Sequence, residues 1–211
     1  SVEYQRRHND YNRGVILWQL NDCWPVVSWS GVDYLGRWKA EQYMIRRFFA
    51  PTLITSEVQE GKVSLYAISD SLADQYDVLE VRLYHAEGGM ESSSTAFTLR
   101  CGSQKIKELS VPRDTAHSFL AYRDQKDPAF KVQLFCLPKD FCFKQPKLTI
   151  HCDETSDEYR ITLRSDIICK DVMLDFDGYD AVLSDNCFDL VPGEAYTVCV
   201  NKKEIGRASC R

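Results

Sequence analysis

Four side chains within a few positions of one another, Trp18, Asn21, Asp22 and Trp24, hold the chemistry this sequence presents most clearly. They stand in Gly14-Val-Ile-Leu-Trp-Gln-Leu-Asn-Asp-Cys-Trp-Pro25, a short apolar run that ends in amides, a carboxylate and a second indole. A pyranose offers a flat apolar face to an indole and its hydroxyls to amides and carboxylates, so this set suits a sugar. The competing reading is a core strand whose tryptophan only fills volume.

Other candidate chemistry falls away on spacing. The histidines, His8, His85, His117 and His151, are scattered, and none forms a nucleophile–base–orienter set with a nearby Ser or Cys. Nine cysteines, at 23, 101, 136, 142, 152, 169, 187, 199 and 210, include no C-x2-C pair and no histidine spacing suited to zinc. They fall in strand-like segments, where a free Cys behaves as a small hydrophobe, and lean towards a reducing, cytoplasmic compartment. Asp175-Phe-Asp177-Gly-Tyr-Asp180 has a calcium-like spacing, but Asn186 stands where the twelfth-position carboxylate belongs, so it reads as a turn. Arg37, Lys39, Arg46 and Arg47 share a helical segment with Glu41 and read as its solvated flank. No cofactor and no metal is expected.

Length and composition bound the rest. The 211 residues can hold one large domain or two small ones, and 44% hydrophobic residues suffice for a packed core. A net charge of −5 gives a nucleic-acid partner no electrostatic support. No apolar run approaches the roughly 20 residues of a membrane span, and nothing at Ser1 resembles a signal peptide.

The elements that must position the site begin with a helix end in Val2–Asn12, whose Arg6 and Arg7 suit a C-terminus. Val15–Trp18 is continuously apolar and reads as a strand buried on both faces. A second helix runs from about Arg37 to Phe49, with Trp38, Tyr43, Met44 and Phe48 on one face and Pro51 ending it. Beyond Pro51 the period becomes two. Strands are expected at Lys62–Ile68, Val78–Tyr84, Ala96–Leu99, Ser118–Tyr122 and Lys131–Cys136, with polar connections at Ser69–Ser71, Glu87–Gly89 and Glu91–Ser94. Leu137-Pro-Lys-Asp140 to Gln145-Pro146 breaks the pattern. Alternation returns at Leu148–Cys152, Tyr159–Arg164, Asp171–Phe176 and Ala195–Val200. This second β unit is small for a seven-stranded sandwich, so it must be closed by a neighbour or cut short at its C-terminus.

The phrases WQLND-x-WP, SWS (Ser28–Ser30), D-Y-x-G-R-W-K (Asp33–Lys39), RRFFAP (Arg46–Pro51) and SDN-x-F-D-L-x-PGE (Ser184–Glu194) together resemble the β-mannosidases of glycoside hydrolase family 2. The resemblance covers the chain nearly end to end, although the middle sandwich matches mainly in pattern. It implies a mainly β chain with a small α/β N-terminal piece. Residues 1–51 would be the last strand and helix of a (β/α)8 catalytic barrel, followed by two immunoglobulin-like β-sandwich domains at 52–145 and 146–204. Residues 205–211 are expected to lie outside the evolved fold, since Ile205-Gly-Arg-Ala-Ser-Cys-Arg211 lacks periodicity and resembles the translation of a sequencing adapter.

The resemblance further implies part of a retaining glycosidase acting on terminal non-reducing β-D-mannosidic bonds. Such enzymes use two carboxyl groups about 5–5.5 Å apart. In this family they stand at the fourth and seventh barrel strands, so neither catalytic glutamate is expected here. Trp18, Asn21, Asp22 and Trp24 would bind substrate. The implied partners are a β-mannoside or oligosaccharide and the missing N-terminal part of the same polypeptide. The alternatives are another family 2 activity, of β-galactosidase or β-glucuronidase type, and a non-catalytic β-sandwich that binds carbohydrate or protein.

Overall fold

The computed structural model describes residues 1–12 and 14–207. The chain divides into two compact units: residues 1–15 with 48–144, and residues 16–47 with 145–211. The expected first segment, 1–51, is therefore shared between them. The mainly β architecture expected from the alternating segments is what the structure contains.

The first unit opens with α1 (Val2–Arg7) and continues through seven strands: β1 (Thr52–Gln59), β2 (Lys62–Ser69), β3 (Gln75–Tyr84), β4 (Met90–Leu99), β5 (Gly102–Ser110), β6 (Phe119–Arg123) and β7 (Lys131–Leu134). They form two antiparallel sheets, ordered β1-β2-β5 and β4-β3-β6-β7, in the manner of an immunoglobulin-like sandwich. Alternation does the packing. Val63, Leu65 and Ala67 of β2 meet Leu79, Val81 and Leu83 of β3 in one core that also holds Leu99, Leu120 and Tyr122.

Two of these strands were not expected. β5 carries a bulge: Leu65 pairs with Lys107 but Tyr66 with Lys105, which leaves Ile106 as the extra residue and breaks the period of two. Along β1, Leu53, Ile54 and Thr55 are buried in succession rather than in alternation. Glu91–Ser94, read as a connection, instead belongs to β4. This edge strand is exposed along its first five residues and so has no apolar face to recognise.

The second unit comprises residues 16–39, helix α2 (Ala40–Phe48) through Arg47, and a set of short strands. These are β8 (Leu148–Glu154), β9 (Glu158–Ser165), β10 (Cys169–Val172), β11 (Tyr179–Asp180), β12 (Phe188–Leu190), β13 (Ala195–Asn201) and β14 (Gly206–Arg207). They pair as β13-β9-β8, β10-β12 and β11-β14. The core joins Ile161, Leu163, Val198 and Val200 to Leu183, Phe188 and Leu190, and it is completed by Tyr43 of α2, with Trp38 and Ile205 packed against it. The small sandwich is thus closed by the segment that precedes the first one in sequence. Tyr43 is 2% exposed, and its hydroxyl accepts the Leu183 N–H at 3.1 Å.

Three expectations need correction here. Residues 15–18 form no strand, and Ile16 and Trp18 are 95% and 75% exposed, because no other described segment pairs with or covers them. A strand buried on both faces needs neighbours on both sides. The strand expected over Asp171–Phe176 ends at Val172: Asp171 takes a φ of +53°, and the Asn186 amide then accepts from Leu174 N and donates to Leu174 O in place of a strand partner. Finally, Gly206–Arg207 pairs with Tyr179–Asp180, although no regular structure was expected from Gly206 onward. Ala208–Arg211, the rest of that stretch, lie outside the described residues.

Nor is the basic side of α2 a solvated flank throughout. Arg47 donates to the Asp185 carboxylate at 2.8 Å, to Asn186 O at 2.9 Å and to Cys187 O at 2.6 Å. Asp185, 6% exposed, also accepts the Tyr196 hydroxyl at 2.9 Å. Removing one partner of such a pair strands the other charge away from water. Arg47→Met should therefore destabilise the second unit by on the order of 3 kcal/mol. Adding Asp185→Leu should recover part of the loss. All four tryptophans, 18, 24, 29 and 38, lie in this unit, so urea unfolding followed by indole fluorescence reads it directly. A loss under 0.5 kcal/mol, the scale of an exposed pair, would contradict this assignment.

Candidate functional site

The Gln19–Lys39 segment is folded on itself by its backbone. Val32 N donates to Leu20 O at 2.9 Å, Asp22 N to Val32 O at 3.0 Å, and Lys39 N to Gly31 O at 2.9 Å. Between these, Asp33-Tyr-Leu-Gly36 forms a tight turn. The Asp33 carboxylate accepts from Leu35 N and Arg37 N, both at 2.9 Å, and Gly36 supplies the φ of +84° that a side chain would resist. The Asp-x-x-Gly-Arg spacing is what such a turn demands.

Inside the segment lies a saturated carboxylate. Asp22 is 3% exposed and accepts from Ser28 Oγ at 2.5 Å, Ser30 Oγ at 2.7 Å and Lys39 Nζ at 3.0 Å. Lys39 Nζ also donates to Ser30 Oγ at 2.8 Å. The hydroxyls of Ser28 and Ser30, with the Lys39 ammonium, hold Asp22 well below its ordinary value of 3.8, at about 2, against the opposing effect of burial. At neutral pH it neither gives nor takes a proton.

The indoles face the other way. Trp18, Trp24 and Trp29 are 75%, 65% and 70% exposed, and the structure records no ring contact among them. Asn21 is exposed and donates to Asp22 O at 3.2 Å. The structure thus brings Asn21 beside Asp22 in the backbone but turns the Asp22 carboxylate inward, away from the surface that carries Trp18 and Trp24. Ser28, Trp29 and Ser30 enter the sequence reading only as a motif phrase, and Lys39 only as part of a solvated flank, whereas its ammonium is held by Asp22 and Ser30. The Ser-Trp-Ser phrase held the signal: residues two apart in an extended chain share a side, so two hydroxyls turn in and the indole between them turns out. Among the described residues, no group of three or more His, Cys, Asp and Glu side chains could hold a metal ion.

Residues 143–209 match the Ig-fold domain of the mannosidase family model. The chain is 26% identical to β-mannosidase B of Thermothelomyces thermophilus, covering 94% of this chain and 27% of that protein. It is also 26% identical to β-mannosidase A of Aspergillus oryzae, over 97% of this chain and 25% of that one. Identity rises to 43% with the β-mannosidase of Mus musculus, over 36% of this chain and 8% of the mouse protein. Among solved structures, the β-D-mannosidase of Dictyoglomus thermophilum superposes on all of this chain with a TM-score of 0.84 at 20% identity, using 28% of its own length. The exo-chitosanase of Amycolatopsis orientalis shares the fold at 0.71 and 15%, over 98% of this chain and 30% of its own. The chain spans about a quarter of the length of the fungal relatives.

The Asp22 network has a titration consequence. Its folded pKa lies below the unfolded value, so its contribution to stability is present above about pH 3.8 and is lost as pH falls towards 2. Carbon-detected NMR should follow the Asp22 carboxyl as ionised down to about pH 2, and the melting-temperature deficit of Asp22→Asn should shrink over the same window. Titration near 4 would mean that the three donors do not bind it in solution.

The resemblance drawn from the motifs is thereby borne out: over nearly its whole length this chain is similar to the β-mannosidases of glycoside hydrolase family 2, as a C-terminal piece of such a protein would be.

Proposed function

We propose that this chain is part of a retaining glycoside hydrolase that cleaves terminal non-reducing β-D-mannosidic bonds. The observation that carries the reading is its sequence similarity to named β-mannosidases over 94% and 97% of its length. In this reading residues 1–51 stand at the end of a (β/α)8 catalytic barrel, and the N-terminal part of the same polypeptide supplies both glutamates. Trp18 is the stacking platform for a mannosyl ring, and Asn21 and Trp24 shape the same rim. Asp22 acts from within, holding the backbone that presents them. Its buried, saturated carboxylate supports a positioning role over a catalytic one, since acid–base work needs a pKa near the working pH.

A second reading, another exo-glycosidase of this architecture, is favoured by one observation, the shared fold with the exo-chitosanase. Activity of the full-length polypeptide on aryl β-mannoside, β-galactoside, β-glucuronide and β-glucosaminide decides between them: the first reading expects the mannoside to dominate.

Two expected outcomes test the site assignment. The 211-residue chain alone should not hydrolyse an aryl β-mannoside above background; turnover that vanishes in Asp22→Asn would overturn the assignment of Asp22. In the full-length polypeptide, Trp18→Ala should lower kcat/KM by roughly 10-fold to 100-fold, the equivalent of about 1–3 kcal/mol of aromatic contact. An unchanged kcat/KM with a lowered Tm would make Trp18 a structural residue.

A further inference from the structure

In the second unit a cleft of about 610 Å³ lies between the Asp33–Ala40 turn and residues Met173–Leu183. That size falls within the range of small-ligand sites, roughly 300–1,000 Å³. Four aromatic side chains line it, those of Trp38, Tyr43, Phe176 and Tyr179. Trp38 is anchored edge-on against Tyr43, with ring centroids 5.2 Å apart, and its indole N–H meets no hydrogen-bond acceptor among the described residues. Phe176 is half-buried, and Tyr179 is 51% exposed. The Tyr179 backbone is fixed before any ligand arrives: it bridges to Phe176 across the Gly178 turn, where φ is +76°, and pairs with Arg207 in β14. Preorganisation of this kind lowers the cost of binding.

The polar groups narrow the ligand. Arg37 donates from Nε to Asp33 at 2.6 Å and lies 3.8 Å from Asp180. Asp175 and Glu204 also line the cleft, so four carboxylates stand with Arg37, while the Lys39 ammonium is engaged by Asp22 and Ser30. This excess of negative charge opposes a phosphate or other anion. A purely apolar ligand would strip water from the carboxylates without replacing it. A metal ion lacks a ligand set among the described residues. What remains is a molecule with apolar faces for Trp38 and Tyr179 and adjacent hydroxyls for carboxylate and guanidinium.

We infer that this cleft binds a neutral saccharide of one or two rings, with Tyr179 and Trp38 contacting ring faces and Asp180, Asp33 and Arg37 addressing hydroxyls. The inference rests on this cleft alone and does not depend on the role given to Trp18.

The test is amide-resolved NMR titration of the 211-residue chain with β-1,4-mannobiose. Saturable binding is expected, with shifts at Trp38, Phe176, Tyr179 and Asp180. Tyr179→Ala should weaken binding by roughly tenfold or more, as loss of a stacking contact does. Asp180→Asn, a near-isosteric change that preserves the fold, should weaken it several-fold. Absence of saturable binding, tighter binding of a glucuronide than of mannobiose, or unchanged affinity in Asp180→Asn would overturn the inference. So would shifts confined to residues 16–29, a result that would leave the reading of Trp18 intact. The aryl-mannoside assay on the full-length polypeptide is read independently, so failure of the cleft and failure of the proposed activity are distinguishable.

Discussion

The second unit depends on one guanidinium. Arg47, at the end of a nine-residue helix, places its donors on the Asp185 carboxylate and the Asn186 and Cys187 carbonyls. A helix this short is marginal on its own, so its position is set by what it packs against. Tyr43 supplies the apolar half of that packing and Arg47 the polar half. At the other end of the helix, Lys39 delivers its half-buried ammonium to the buried Asp22 carboxylate, and the Gln19–Lys39 segment is built around that ion pair. The order of dependence therefore runs from the Ser184–Cys187 turn, through α2, to the indoles at the surface.

The arrangement answers a physical problem. A surface that exposes several tryptophans has little to gain from its own collapse, because the apolar groups point outward. Rigidity must come from the polar side. Ser28, Ser30 and Lys39 satisfy the Asp22 carboxylate, so the segment is fixed by hydrogen bonds where a core would otherwise be needed. Binding sites held to a fixed geometry require such backing. The immunoglobulin-like fold behind α2 gains in turn, since Tyr43 and Trp38 close a core too small to close itself.

Much of this was legible in the sequence. Period-two alternation located most of the strands that make the two cores, because burial on one face imposes that period. It failed where burial does not: at the exposed edge strand β4, and at β5, where the Ile106 bulge shifts the phase. The SDN phrase was legible as a motif but not as a mechanism. Asp185 serves Arg47 and Tyr196, Asn186 substitutes for a strand partner of Leu174, and Asp189 takes Lys170 and the Asp171 N–H. Each of these is a contact distant in sequence, which local pattern does not carry. The same holds for the candidate site. Trp18, Asn21, Asp22 and Trp24 were legible as a cluster of sugar-suited groups, but the inward turn of Asp22 followed from Ser28, Ser30 and Lys39, whose spacing from it has no local signature. Val15–Trp18 misled for a related reason: continuous apolarity reports what a segment is suited to meet, and Ile16 and Trp18 stand exposed while Val15 and Leu17 are only half-buried.

Residues 16–47 are an integral, ordered part of the second unit. Native-state hydrogen exchange tests this at single amides. Asp22 N, Val32 N and Lys39 N donate across the segment, and Val198 lies in the centre of the core behind it. These three amides should share much of the protection of Val198 and lose it when Asp185→Ala releases Arg47. Exchange at unprotected rates in the native chain, with Val198 still protected, would contradict it.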